Sequence, residues 1–103
     1  MDIKKKTLEG EWKKYKDIEL LIRPFPASKN AFSFDGKTTI GQYAWNTFNE
    51  CVCDWKNVSI DGESVECNEE NKRMIFDYVE GIGGFVDSQQ EKLKKKLAKE
   101  LKN

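Results

Sequence analysis

The chain has 103 residues and a mass of 12.0 kDa, with 18 Lys plus Arg balanced by 18 Asp plus Glu. That length suits one domain, and 38% apolar against 35% charged residues describes a small core under a well-solvated surface, not a disordered chain. No apolar run exceeds three residues, which excludes a membrane-spanning helix, and Met1-Asp2-Ile3-Lys4-Lys5-Lys6 lacks the apolar stretch of a signal peptide, so a cytoplasmic protein is expected.

In chain order, Thr7 to Tyr15 and Ile18 to Phe25 read as the two strands of an N-terminal β-hairpin. Leu8, Gly10, Trp12 and Lys14 alternate with Glu9, Glu11 and Lys13, the two-residue period of a half-buried strand. Tyr15-Lys16-Asp17 supplies the turn, and the branched run Ile18 to Arg23 stops at Pro24, which cannot donate to a ladder. Residues 26–37 contain Pro26, Ser28, Asn30 and Asp35-Gly36 and read as a loop. From Thr38 the period changes: Ile40, Ala44, Phe48, Cys51, Val52 and Trp55 recur at steps of three and four. This predicts an amphipathic helix capped by Thr38 or Thr39 and ending near Lys56. Val58-Ser59-Ile60 and Ser64-Val65-Glu66, joined through Asp61-Gly62, predict a short second hairpin, because Asp-Gly suits the positive φ angles of a tight turn.

Asn68 opens a second helix with Glu69 and Glu70 in its first turn and Met74, Ile75, Tyr78 and Val79 as its apolar face. A third helix runs from about Ile82 to Leu101, with Ile82, Phe85 and Val86 resuming at Leu93, Leu97 and Leu101 after a polar interval at Ser88-Gln89-Gln90. The fold expected is α+β in a single domain spanning 1–103. An N-terminal β-hairpin is followed by two central helices bracketing a short second hairpin, and then by a C-terminal amphipathic helix. The core is expected over about 7–87, leaving 88–103 as a basic helix at the periphery.

The missing residues narrow the chemistry. There is no histidine, which removes Ser-His-Asp and Cys-His nucleophile pairs, the usual general base and most catalytic zinc sites. The three cysteines, Cys51, Cys53 and Cys67, are an odd number, and Cys51-Val52-Cys53 lacks the two-residue gap of zinc knuckles. No catalytic residue, cofactor or metal is expected, and the chain reads as a non-enzyme. Charge is segregated nonetheless: residues 1–30 carry a net +3, residues 31–91 a net −8 and residues 92–103 a net +5.

One stretch is more specific than its composition. Trp45-Asn46-Thr47-Phe48-Asn49-Glu50-Cys51-Val52-Cys53-Asp54-Trp55-Lys56-Asn57-Val58 is followed by Asp61-Gly62-Glu63-Ser64-Val65-Glu66-Cys67-Asn68-Glu69-Glu70-Asn71-Lys72 and a helix closing on Phe85-Val86. With the earlier Arg23-Pro24-Phe25, this resembles the small tail assembly chaperones of long-tailed bacteriophages and prophages. The resemblance covers about residues 8–87 and is sharpest over 48–72. Asp54, Trp55, Asp61 and Gly62 are its structural motif: Trp55 is expected to anchor the end of the first helix under the hairpin, and Asp54 to accept from backbone N–H groups in the turn that follows. The resemblance implies a protein of the host bacterial cytoplasm, absent from the finished virion, that binds the tape measure protein and assists assembly of tail tube subunits around it.

Candidate partner-binding residues are Tyr43 and Trp45, as aromatics flanking the first helix stripe, and Leu93, Leu97 and Leu101, whose four-residue repeat amid lysines suits helix-in-groove docking or self-association. Two rival readings stand beside this one. A small mobile-element inhibitor of a host protein would use the acidic residues from Asp54 to Glu80. Nucleic-acid binding would use the Lys92–Lys102 run, although no aromatic interleaves those lysines to stack bases.

Overall fold

The computed structural model describes residues 1–29 and 39–102. Their elements, in chain order, are α1 (Lys5–Glu9), β1 (Glu11–Tyr15), β2 (Ile18–Ile22), α2 (Ile40–Cys51), β3 (Val52–Lys56), β4 (Ser59–Ile60), β5 (Glu63–Ser64), α3 (Glu69–Tyr78) and α4 (Ile82–Glu100). The architecture is α+β, with the N-terminal hairpin, the second hairpin between α2 and α3, and the C-terminal helix all present.

β1, β2 and β3 form an antiparallel sheet in that order, with Trp12 opposite Leu21 and Leu21 opposite Asp54. Ile18, Leu20 and Ile22 alternate toward the helices, and Leu20 and Ile22 join Phe48, Cys51, Val52, Trp55, Val58, Ile82, Val86 and Leu93 in one core. Trp12 lies on the outer face, where the Lys56 ammonium sits 4.2 Å from its ring centre.

Three expected boundaries are corrected. Thr7 to Glu9 is helical, not the start of a strand. Thr7 is buried, its hydroxyl donates to Glu100 Oε1 at 2.8 Å, and Gly10 at φ +97° then turns the chain into β1. The first central helix stops at Cys51, and residues 52–56 are strand β3. The register shifts opposite Leu21/Ile22, where Leu21 faces Asp54 but Ile22 faces Val52. A bulge at Cys53 therefore turns both Val52 and Trp55 inward at a spacing of three, a spacing that imitates a helix. Ile40, counted in the apolar stripe, is 87% exposed.

The third correction concerns α4, which is continuous and whose core side extends to Leu93, beyond the expected limit of 87. The polar interval does not interrupt it because Gln90, 1% exposed, occupies a core position with its hydrogen bonds satisfied. Its Oε1 accepts from the Phe25 N–H at 3.3 Å, and its Nε2 donates to Asp87 at 2.9 Å and to Glu91 at 3.1 Å.

Local signals explain the helix boundaries. Thr39 Oγ1 accepts from Gln42 N at 3.1 Å while Gln42 Oε1 accepts from Thr39 N at 3.0 Å, a capping box that starts α2; Thr38 and the loop beyond residue 29 lie outside the described residues. Asn68 Oδ1 caps α3 by accepting from Asn71 N at 2.9 Å. On α3 the apolar face differs from the expected one: Ile75, Phe76 and Val79 pack on the core, whereas Met74 and Tyr78 point to solvent. In the second hairpin Asp61 and Gly62 both have positive φ, as a tight two-residue turn of this kind requires.

Candidate functional site

The structural motif forms a latch. Trp55 is buried at the end of β3, and its indole Nε1–H donates to Val65 O at 2.9 Å, so the second hairpin folds over it as expected. Asp54 Oδ1 accepts from the Trp55 N–H at 2.8 Å, within the strand and not in the following turn. Two cations close the C-terminus of α2: Lys72 Nζ donates to Asn49 O at 2.9 Å, and Arg23 Nε donates to Glu50 O at 2.8 Å. Arg23 Nη2 also pairs with the Glu50 carboxylate at 2.9 Å, which ties the Arg23-Pro24-Phe25 exit of β2 to the end of α2.

The aromatics proposed from sequence as binding residues both pack partly against the domain. Trp45 is half-buried between α2 and α3, with ring centres 6.3 Å from Phe48 and 5.5 Å from Phe76 and the Arg73 guanidinium 4.9 Å from its ring. Tyr43 is half-buried and hydrogen-bonds Thr47. Loss of solvation, then the nearby Asp87 carboxylate, raises its hydroxyl above the ordinary tyrosine range. Leu93 is 2% exposed and belongs to the core, so it is not available to a partner. Cys51 is buried and Cys67 half-buried, and burial pushes their thiols up to about 12 and about 11 respectively; Cys53 is exposed.

Leu97 and Leu101 do lie together. They line a groove of about 440 Å³ with Ala98 from α4, Leu8 from α1, and Pro24, Phe25, Pro26 and Ala27 from the segment after β2. Arg23 and Lys94 edge it. Gln90 holds one wall by fixing the Phe25 N–H, and the Thr7–Glu100 hydrogen bond holds the other by fastening α1 to the end of α4. Sequence reasoning missed Leu8, Phe25 and Gln90. The available signal was Gln90 itself, which sits four residues after Val86 and three before Leu93 on the apolar stripe of a helix.

The walls of this groove come from the two basic ends of the chain. Lys5 and Lys6 lie on α1, and Lys92, Lys94, Lys95, Lys96 and Lys99 lie on the second half of α4. An apolar trough edged by cations can hold an apolar ridge flanked by carboxylates. A second cleft of about 560 Å³, lined by Tyr15, Lys16, Asp17, Asn57, Ser59 and Tyr78 among others, mixes turn residues with both signs of charge. Among the described residues no group of three His, Cys, Asp or Glu side chains could hold a metal ion, and no helix is long and apolar enough to cross a membrane. Comparison with known protein families, curated proteins and solved structures found no match to this chain.

Proposed function

We propose that the protein is a non-catalytic tail assembly chaperone of the kind used by long-tailed bacteriophages and prophages. It binds an amphipathic helical segment of the tape measure protein in the groove between α1, Pro24–Ala27 and the end of α4, and assists the assembly of tail tube subunits around it. It acts in the host bacterial cytoplasm and is not part of the finished virion. The observation that carries the binding reading is the groove, where Leu97 and Leu101 stand exposed to a trough edged by Arg23 and Lys94. The family reading rests on the residues over 48–72, whose Asp54-Trp55 and Asp61-Gly62 pairs build the latch between β3 and the second hairpin.

Co-expression with the tape measure protein of its own element tests this. A soluble complex is expected from the wild-type chain, with its yield reduced at least fivefold by Leu97→Asp in the groove. A tape measure protein that stays insoluble with or without this chain refutes the assignment. The rival reading, an inhibitor of a host protein, draws on Asp61, Glu63, Glu66, Glu69 and Glu70, which are all exposed along one stretch. Tight capture of a host enzyme, lost when those carboxylates become amides and unaffected by Leu97→Asp, would favour it.

A further inference from the structure

On the second half of α4 the lysines fall into two groups. Lys94 and Lys96 are paired, with Glu91 at 3.8 Å and with Glu11 at 3.8 Å. Lys92, Lys95 and Lys99, with Lys102 just past the helix, recur at steps of three, four and three and so share one face. All four are exposed, and none has a carboxylate partner among the described residues. That face lies opposite Leu93 and Leu97, so it turns away from both the core and the groove. The other basic end of the chain arrives beside it: Thr7 binds Glu100, and Lys4 and Lys6 line a hollow of about 290 Å³ with Lys96 and Glu100. Across residues 1–11 and 91–102 nine lysines stand against five carboxylates. Lys5, Lys6, Lys92, Lys95, Lys99 and Lys102 are the cations there that no ion pair engages among the described residues.

We propose that this outer face of α4 is a sequence-independent binding site for double-stranded DNA. Lys92 and Lys102 are about 15 Å apart along the helix axis, a length over which a duplex presents roughly nine phosphate charges. An α-helix about 10–12 Å across fits a major groove about 12 Å wide, and lysine side chains on its outer face reach the phosphates of the walls. The stripe carries no Arg, Asn or Gln to read base edges, so the contact is to the backbone alone. No aromatic lies among the lysines to stack an unpaired base, which favours a duplex over a single strand. An RNA duplex fits less well because its major groove is narrow. The same face disfavours an anionic membrane. Interfacial helices bury apolar side chains among the headgroups, whereas here Ser88, Lys92, Lys95 and Lys99 are all polar and the leucines of α4 turn into the core and the groove. Residues 31–91, at a net −8, repel the duplex, so the α4 end is the side that approaches it and binding is weak. The surface is separate from the groove and does not depend on what the groove binds.

Fluorescence anisotropy of a labelled, arbitrary-sequence DNA duplex of about 20 base pairs, titrated with the full chain from about 20 to about 200 mM salt, tests this. Dissociation constants of about 10–100 μM are expected at the lowest salt. The slope of log K against log salt is expected between about −3.6 for four lysine contacts and about −5.4 for six. Lys95→Gln with Lys99→Gln should weaken binding at least tenfold at low salt and make the slope shallower by about 2. Lys95→Arg with Lys99→Arg keeps the charge and should bind as the wild type does. Lys14→Gln with Lys16→Gln removes the same charge from the tip of the first hairpin, which meets the start of α4 through Tyr15 and Phe85, and should change affinity less than threefold. Gln matches Lys in helix propensity, and circular dichroism melts check that every variant is folded. No binding at the lowest salt, an equal loss from the hairpin and α4 pairs, or tighter binding of a single strand or an RNA duplex overturns the proposal. Co-sedimentation with phosphatidylserine–phosphatidylcholine vesicles that exceeds duplex binding, or displacement of the duplex by poly-glutamate as readily as by unlabelled duplex, gives the face to a lipid surface or an acidic chain and overturns it as well.

Discussion

Leu93, Leu97 and Leu101 are indistinguishable in sequence, being three leucines at four-residue spacing among lysines, yet the fold assigns them opposite duties. Leu93 is buried in the core cluster, whereas Leu97 and Leu101 are half-exposed and line the groove. Leu93→Ala removes a fully packed side chain and leaves a cavity, at a cost of about 3 kcal/mol. For a chain of this size the unfolding entropy is about 0.2 kcal/mol/K, so the melting temperature should fall by roughly 12–15 °C. Leu97→Ala and Leu101→Ala give up only part of a side chain's burial, about 1 kcal/mol or less each and on the order of 4 °C. Thermal melts followed by circular dichroism at 222 nm, with a urea titration for the free energies, measure all three. Equal shifts across the series, or a loss under about 1 kcal/mol at Leu93, would refute the division of α4 into a core half and a groove half.

Three further outcomes follow from the same structure. A Cβ on Gly10 would lie 2.4 Å from Ile22 O at a φ of +97°, whereas one on Gly62 meets nothing within 4 Å at φ +80°. In urea titrations Gly10→Ala should therefore cost on the order of 3 kcal/mol and Gly62→Ala about 1 kcal/mol, and equal costs would contradict the close approach of backbone at Gly10. Trp55→Phe keeps a smaller aromatic ring but removes the donor to Val65 O and some buried volume, so stability should drop by about 1–2 kcal/mol or more and amide exchange across Val58–Val65 should quicken; unchanged exchange would mean the hairpin is not latched by the indole. Burial raises the Cys51 and Cys67 thiols above their ordinary value of 9.0, to about 12 and about 11, so the folded state holds protons that the unfolded state releases. Their contribution is therefore complete below pH 9 and is lost as the pH rises toward 12, and a Cys51→Ala variant whose stability falls as steeply as the wild type over that window would disprove it.

Much of the fold was legible because its signals are local. The Thr39 and Asn68 caps, the Asp61-Gly62 turn, the Lys16-Asp17 turn and the long helix from Ile82 depend on residues within a few positions of one another. Backbone groups there find their partners without help from the rest of the chain. Among candidate site residues, Leu97 and Leu101 were legible as leucines without an evident core to join. Trp55 was legible as an anchor because a large aromatic before a tight turn has little else to do.

What the sequence could not decide rests on contacts between distant residues. Lys5–Glu9 is helical because Thr7 meets Glu100, 93 positions later, and the alternation that suggested a strand there carries no information about that contact. Val52–Lys56 is a strand because β2 is there to pair with it, and the bulge at Cys53 disguised its period. Gln90 reads as a polar interruption until the Phe25 N–H arrives to donate to its Oε1 within the core. The groove has no continuous sequence: α1, Pro24–Ala27 and α4 all contribute to its lining. Composition and periodicity determined that this chain is a small α+β protein with segregated charge, because those properties sum over neighbours. Where its apolar surface remains open was decided by packing, because burial depends on which segments meet.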